Sequence, residues 1–271
     1  MLKFLKYELK ANMKVMIAIC IILFFGIFSY VSLINQMETS SIYLTGTLIT
    51  GFLVIMGGSF IAYFVNIINN FKKELYDDRG YLTFSLPISG KVIIGAKVLH
   101  AAIFSTLVLI SVILSGFLSV AIIFDEKVVE LLFDFLRGFK ICSVLFHLFM
   151  LYISGSLFIL CMYFSIYASK FYIFNKKIGS FWFLLFLGLT IAIDLIAKFI
   201  SSVSPLFINT DTLEIILFSN EDFIGSIFGV NIVQSALGFS SVNLMGLLFN
   251  IIVTIFMFFF VSNLVEKNPN L

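Results

Sequence analysis

Long apolar runs separated by short polar interruptions set the elements of this chain. Apolar stretches lie at about residues 15–34, 43–68, 98–123, 141–168, 178–199 and 244–265. A hydrocarbon layer about 30 Å thick is crossed by roughly 20 residues of helix, each rising about 1.5 Å. All six runs meet that length. The apolar/polar alternation of a membrane barrel, in segments of about 10 residues, is absent. The pattern predicts an all-α, polytopic membrane protein with six transmembrane helices, forming one transmembrane domain over residues 1–271.

Two flanking segments depart from simple spans. Residues 1–14 set Lys3, Lys6, Lys10 and Lys14 among Leu2, Leu5 and Leu9, and these leucines fall on one helical face. The segment reads as a basic amphipathic helix lying in the headgroup plane, or equally as an extra turn of the first span with solvated lysines. The apolar run behind it exceeds the 7–15 residues of a signal peptide, and no A-x-A-like cleavage site follows, so it is expected to be retained. Residues 200–243 hold two short apolar pieces, 213–218 and 223–233, broken by Pro205, Asp211, Glu214, Glu221 and Asp222. Runs that short more often re-enter or lie in the interface than cross. Short helices packed at the outer leaflet are expected there, with a seventh crossing through 223–240 as the alternative.

Composition agrees with lipid as the main solvent. The chain is 12% charged and 61% hydrophobic with 35 phenylalanines, against about 25% charged and 45–50% apolar in a soluble domain. Placement of Lys and Arg sets orientation. With the N-terminus inside, the cytoplasmic side receives 13 basic residues and the outside 4. Both termini are therefore expected in the cytoplasm. Cys20, Cys142 and Cys161 all sit in apolar runs without a CxxC, and read as small buried residues. A Phe, Ile, Asn and Lys bias suggests an AT-rich bacterial genome, hence a bacterial cell membrane.

The richest polar punctuation is 71–97, FKKELYDDRGYLTFSLPISGKVIIGAK. The second span is expected to run on as helix through Phe71, Lys72, Leu75 and Tyr76 to a stop at Gly80. Tyr81, Leu82, Thr83 and Phe84 read as extended, Pro87 disfavours helix at Leu86, and Ser89 is a suitable N-cap for the next helix. The apolar hook Tyr81–Leu86 with its charged rim suits a docking surface; dipping back into the lipid interface is the alternative. Glu74, Asp77 and Asp78 stand beside Lys72, Lys73 and Arg79 with no histidine near. They read as a solvated mixed-charge rim that registers a partner, not as a metal or acid/base cluster.

The sequence D-x-G-Y-L-T-F-S-L-P-I-S over Asp78–Ser89, with Lys91 and Lys97 behind it, resembles the permease subunits of the ABC type-2 exporter family. The close resemblance covers about thirty residues. The six-span plan, the basic N-terminus and the long outer segment extend it loosely over the chain. It implies a transmembrane permease domain whose 71–97 stretch is a cytoplasmic coupling loop seated on a separate ATP-binding subunit. Two permeases, in like or related copies, would form the transporter. The residues expected to meet the ATPase are Glu74, Tyr76, Asp78, Arg79, Gly80, Tyr81, Phe84, Pro87, Ser89 and Lys91.

The chain itself is not expected to hydrolyse ATP. Its nearest approach to a phosphate loop is Ser85 to Val92, SLPISGKV. A working loop needs Gly at the first position and Ser or Thr at the last, and Pro87 removes a backbone N–H. No catalytic residue, cofactor, metal or nucleic-acid partner is expected; membrane lipids are.

Asp194 is the one carboxylate within an apolar run, one turn before Lys198 near the outer end of its span. The two read as an intramembrane ion pair reaching toward the headgroups, or as part of a substrate pathway. His100 and His147 fall in different spans, packed or hydrogen-bonded. Thr47, Thr50, Gly51, Gly57, Gly58, Ser59 and Ala62 make a face suited to close helix packing, within the chain or against a second copy. Residues 124–140 suit a short external amphipathic helix. The expected function is ATP-coupled export of an amphiphilic substrate, such as an antimicrobial peptide or a lipid-like molecule. The alternatives are a secondary transporter without an ATPase, for which Asp194 would couple ions, and a membrane enzyme, for which paired catalytic groups within the spans are lacking.

Overall fold

A computed structural model describes residues 2–35, 42–76, 89–123, 129–130, 134, 140–169, 181–210, 212–217 and 241–267. In chain order the elements are α1 (Leu2–Asn35), α2 (Ile42–Tyr76), α3 (Gly90–Ile123), α4 (Ile141–Ala168), α5 (Phe181–Val203), β1 (Leu206–Asn209), β2 (Ile215–Leu217), β3 (Ser241–Asn243) and α6 (Leu244–Lys267). Each of the six helices is long and apolar enough to span a membrane, which makes this an α-helical, multi-pass membrane protein.

Helices α1, α2 and α3 have 34, 35 and 34 residues. At about 1.5 Å per residue each is roughly 50 Å long, some 20 Å more than the hydrocarbon layer. The N-terminal 14 residues are not a separate helix: α1 runs unbroken from Leu2, so the backbone follows the extended-span alternative. The expected leucine face also divides, with Leu5 buried and Leu2 78% exposed. The continuation of α2 to Tyr76 and the restart of helix after Ser89 agree with the sequence.

The described residues group into two compact units. The first contains α1, α2 and α3 from Gly95 onward. Its core joins Met16, Ile19 and Leu23 of α1 to Phe104 of α3, with Met56 and Tyr63 of α2 packed against them. Burying aliphatic stripes alone gives little directional hold in lipid, so interhelical hydrogen bonds add register. The Ser111 hydroxyl donates to the Cys20 carbonyl at 2.8 Å, and the Tyr63 hydroxyl donates to the Ala101 carbonyl at 3.2 Å.

The second unit contains Ser89–Ile94, α4, α5, α6 and the strands. Tyr167 of α4 is fully buried and its hydroxyl donates to the Leu264 carbonyl of α6 at 2.7 Å. Phe158 of α4 meets Phe186 of α5 edge to face, with centroids 4.8 Å apart. Gly90, the first residue of α3, lies so close to α6 that a Cβ would collide with the Ser262 carbonyl oxygen.

Segment 200–243 corrects an expectation. Where short outer helices were expected, the described residues beyond α5 form an antiparallel sheet of order β2-β1-β3. Phe207 pairs with Ile216 on one side and with Asn243 on the other. The strands are built from β-branched and aromatic residues, Phe207, Ile208, Ile215, Ile216 and Val242, too few in each run to form a stable helix. Asn243 fastens this sheet to its neighbours. Its side-chain amide donates to the Ser201 and Ser204 carbonyls, at 3.1 and 2.9 Å. Its Oδ1 accepts the Gly246 N–H at 2.9 Å and so caps α6. Residues 218–240, which include the seventh-crossing alternative, and most of 124–140 lie outside the described residues.

The glycines of the small-residue face of α2 have open space around them among the described residues, whereas Ser59 of the same face is buried. A Cβ at Gly51, Gly57 or Gly58 would meet nothing within 4 Å among the described residues.

Candidate functional site

The two ends of the 71–97 stretch are ordered by α2 and α3. Glu74 and Tyr76 fall in the last turn of α2. At the other end the Ser89 carbonyl accepts the Val92 and Ile93 N–H groups at 2.9 and 3.3 Å, which is the N-cap backbone arrangement. Lys91 is exposed and its ammonium lies 5.3 Å from the Phe259 ring centroid. Such a cation–π contact is worth about 0.5–1 kcal/mol when exposed. Asp78, Arg79, Gly80, Tyr81, Phe84 and Pro87 lie outside the described residues.

Close to these ends is a cluster that the sequence reading did not assemble. Lys97 of α3 reaches Glu8 of α1, Nζ to Oε1, at 3.0 Å, and the side chains are 1% and 6% exposed. The second carboxylate oxygen of Glu8 accepts the Asn70 side-chain amide of α2 at 2.6 Å. One carboxylate thus receives donors from both helices that flank the stretch. Asn12 donates to the Glu8 carbonyl at 3.1 Å, one turn along α1. The Lys97 ammonium lies 6.0 Å from the Phe71 ring centroid.

His100 follows Lys97 by one turn and is 2% exposed. Its Nε2, like the Asn66 Nδ2 of α2, has no hydrogen-bond partner among the described residues. Both atoms belong to the same three-helix unit as the ion pair. Buried charges survive only when paired and hydrogen-bonded, since each loses several kcal/mol of solvation. Glu8 and Lys97 meet that requirement, and the pair fixes where α3 lies along α1.

Glu8 had a signal in the sequence. Leu5, Glu8, Asn12, Met16, Ile19 and Leu23 follow one helical stripe at steps of three and four, and all but Asn12 are buried. A carboxylate on a stripe that is otherwise the core face calls for a buried cation. The lysines of residues 1–14 stand off that stripe, and Lys3, Lys6, Lys10 and Lys14 are exposed.

Asp194 and Lys198 pair within α5 at 2.7 Å and are 60% and 68% exposed. The α5 helix extends to Val203, so Asp194 lies two residues past the helix midpoint. Asp194 is among the residues lining a cavity of about 270 Å³, with Ser154, Thr190 and Asn250. His147 is exposed, its Nδ1 2.8 Å from the Ser143 carbonyl.

Comparison of the chain with family models, with curated proteins and with solved structures finds no match.

Proposed function

We propose that the chain is the membrane-spanning permease subunit of an ABC type-2 exporter, coupling ATP hydrolysis in a separate subunit to export of an amphiphilic substrate. The observation that carries this reading is the setting of the Asp78–Ser89 motif. The motif joins two long helices that are tied about two turns in from their near ends, through Asn70 and Lys97, by the single carboxylate of Glu8. Force applied to the stretch would then reach α1, α2 and α3 together, because separating them means breaking a buried, hydrogen-bonded charge pair.

In this reading 71–97 faces the cytoplasm with both termini, and Tyr81, Phe84 and Pro87 seat on the ATPase. Glu74, Asp78, Arg79 and Lys91 set its register. A second permease copy completes the transporter in a bacterial cell membrane. Purifying the tagged chain from its own membrane and assaying for ATP hydrolysis tests the proposal: a stoichiometric ATPase subunit is expected.

The cavity beside Asp194 favours one other reading, an ion-coupled secondary transporter. That reading predicts a preparation without an ATPase, whose substrate movement follows an ion gradient and fails in Asp194→Asn.

A further inference from the structure

Between α1 and α3, within the three-helix unit, runs an apolar groove of about 520 Å³. Met13, Ile17 and Phe24 of α1 form one wall, and Leu107, Ile110 and Leu114 of α3 form the other. Five of these six are 42–51% exposed, so the groove is open along its side. From Met13 to Phe24 it rises about 17 Å, close to half of a hydrocarbon layer about 30 Å thick. That is the depth of one leaflet.

The same wall continues into charge. Lys6, Lys10, Met13, Ile17 and Phe24 follow at steps of four, three, four and seven residues, a single stripe of α1. The apolar groove therefore ends, on the N-terminal side, at two exposed ammonium groups one and two turns beyond Met13. The buried stripe through Leu5, Glu8 and Met16 lies on another side of the helix, so these lysines are not part of the charge cluster. An apolar slot one leaflet deep, capped by two cations, has the shape and charge of a single anionic lipid.

We propose that this groove binds one anionic glycerophospholipid from the leaflet nearest the N-terminus. An acyl chain would lie between α1 and α3, with the phosphate held by Lys6 and Lys10. A chain in this position completes the packing of α1 against α3 below the Glu8–Lys97 pair. The site is independent of which substrate the protein transports.

The test is native mass spectrometry of the full chain in mild detergent, offered equal amounts of phosphatidylglycerol and phosphatidylcholine. One phosphatidylglycerol is expected to be retained preferentially. Neutralising Lys6 and Lys10 to Gln lowers that preference, about fivefold for each lysine. Leu107→Trp fills the slot and removes the bound lipid although both lysines remain; Met13→Trp does the same from the other wall, should Leu107→Trp not fold. Equal retention of the two lipids overturns the proposal. So does lipid binding that survives both tryptophan variants, which would mean attraction to surface lysines alone. Quantitative disulfide dimers of Leu107→Cys in membranes would also overturn it, by showing a second copy in the groove.

Discussion

Lys97 and Glu8, 89 positions apart in sequence, form a 3.0 Å ion pair that is almost wholly buried. Removing one member strands the other, which costs about 3–5 kcal/mol, whereas replacing both with apolar residues of similar volume is often neutral. Glu8→Leu and Lys97→Met should therefore each lower the melting temperature in detergent sharply. The double variant should recover most of the loss. Additive effects in this cycle would show that the two side chains are not coupled.

Gly90 allows α3 to start against the α6 backbone, since a Cβ there would meet the Ser262 carbonyl oxygen. Gly90→Ala is expected to destabilise by about 1–3 kcal/mol, the usual range for overpacking. Gly58→Ala meets no such neighbour among the described residues and serves as the control. Folded yield and thermal unfolding of the two variants check the difference. Equal behaviour would contradict the close approach of Gly90 to α6.

Asn243 makes three hydrogen bonds that join the end of α5, the sheet and the start of α6. Asn243→Asp keeps the cap on α6 but cannot donate to Ser201 and Ser204. Asn243→Ala loses everything, at about 1–2 kcal/mol for the cap alone. Hydrogen exchange at the Gly246 amide should be fast in the alanine variant and near native in the aspartate variant. Similar exchange in both would remove the capping role.

Asp194 and Lys198 compensate each other on a span, where a lone charge near mid-bilayer costs roughly 2.5–3.5 kcal/mol on insertion scales. Asp194→Leu alone should reduce insertion and yield, and adding Lys198→Leu should restore them. If the restored double variant still transports at the native rate, the pair is structural. If it folds but transport is lost, Asp194 belongs to the pathway, as the secondary-transporter reading requires.

The six helices were legible because twenty consecutive apolar residues leave the chain no other stable state in lipid. Their ends were less so. The α1 helix begins at Leu2 because nothing in residues 1–14 breaks a helix, and amphipathicity alone does not say where such a segment lies. The sheet around Phe207 was not legible because its strands are three or four residues long and β3 joins β1 from far along the sequence. Glu8 escaped for a different reason. Its neighbours Lys6 and Lys10 suggested a solvated face, while its true partner is fixed only by the packing of α3 on α1. Of the residues proposed to meet an ATPase, Ser89 and Lys91 have geometry, whereas Tyr81–Leu86 rest on their sequence.

The most direct test of the coupling account is transport in reconstituted vesicles with the co-purified ATPase, comparing the native chain with the Tyr81→Ala/Pro87→Ala double variant. A Tyr81→Cys crosslink to the ATPase maps the contact. The account predicts that Tyr81→Cys crosslinks, and that the double variant loses ATP-driven transport while keeping its fold. Undiminished ATP-driven transport by the double variant, or a preparation in which no ATPase accompanies the chain, would contradict it.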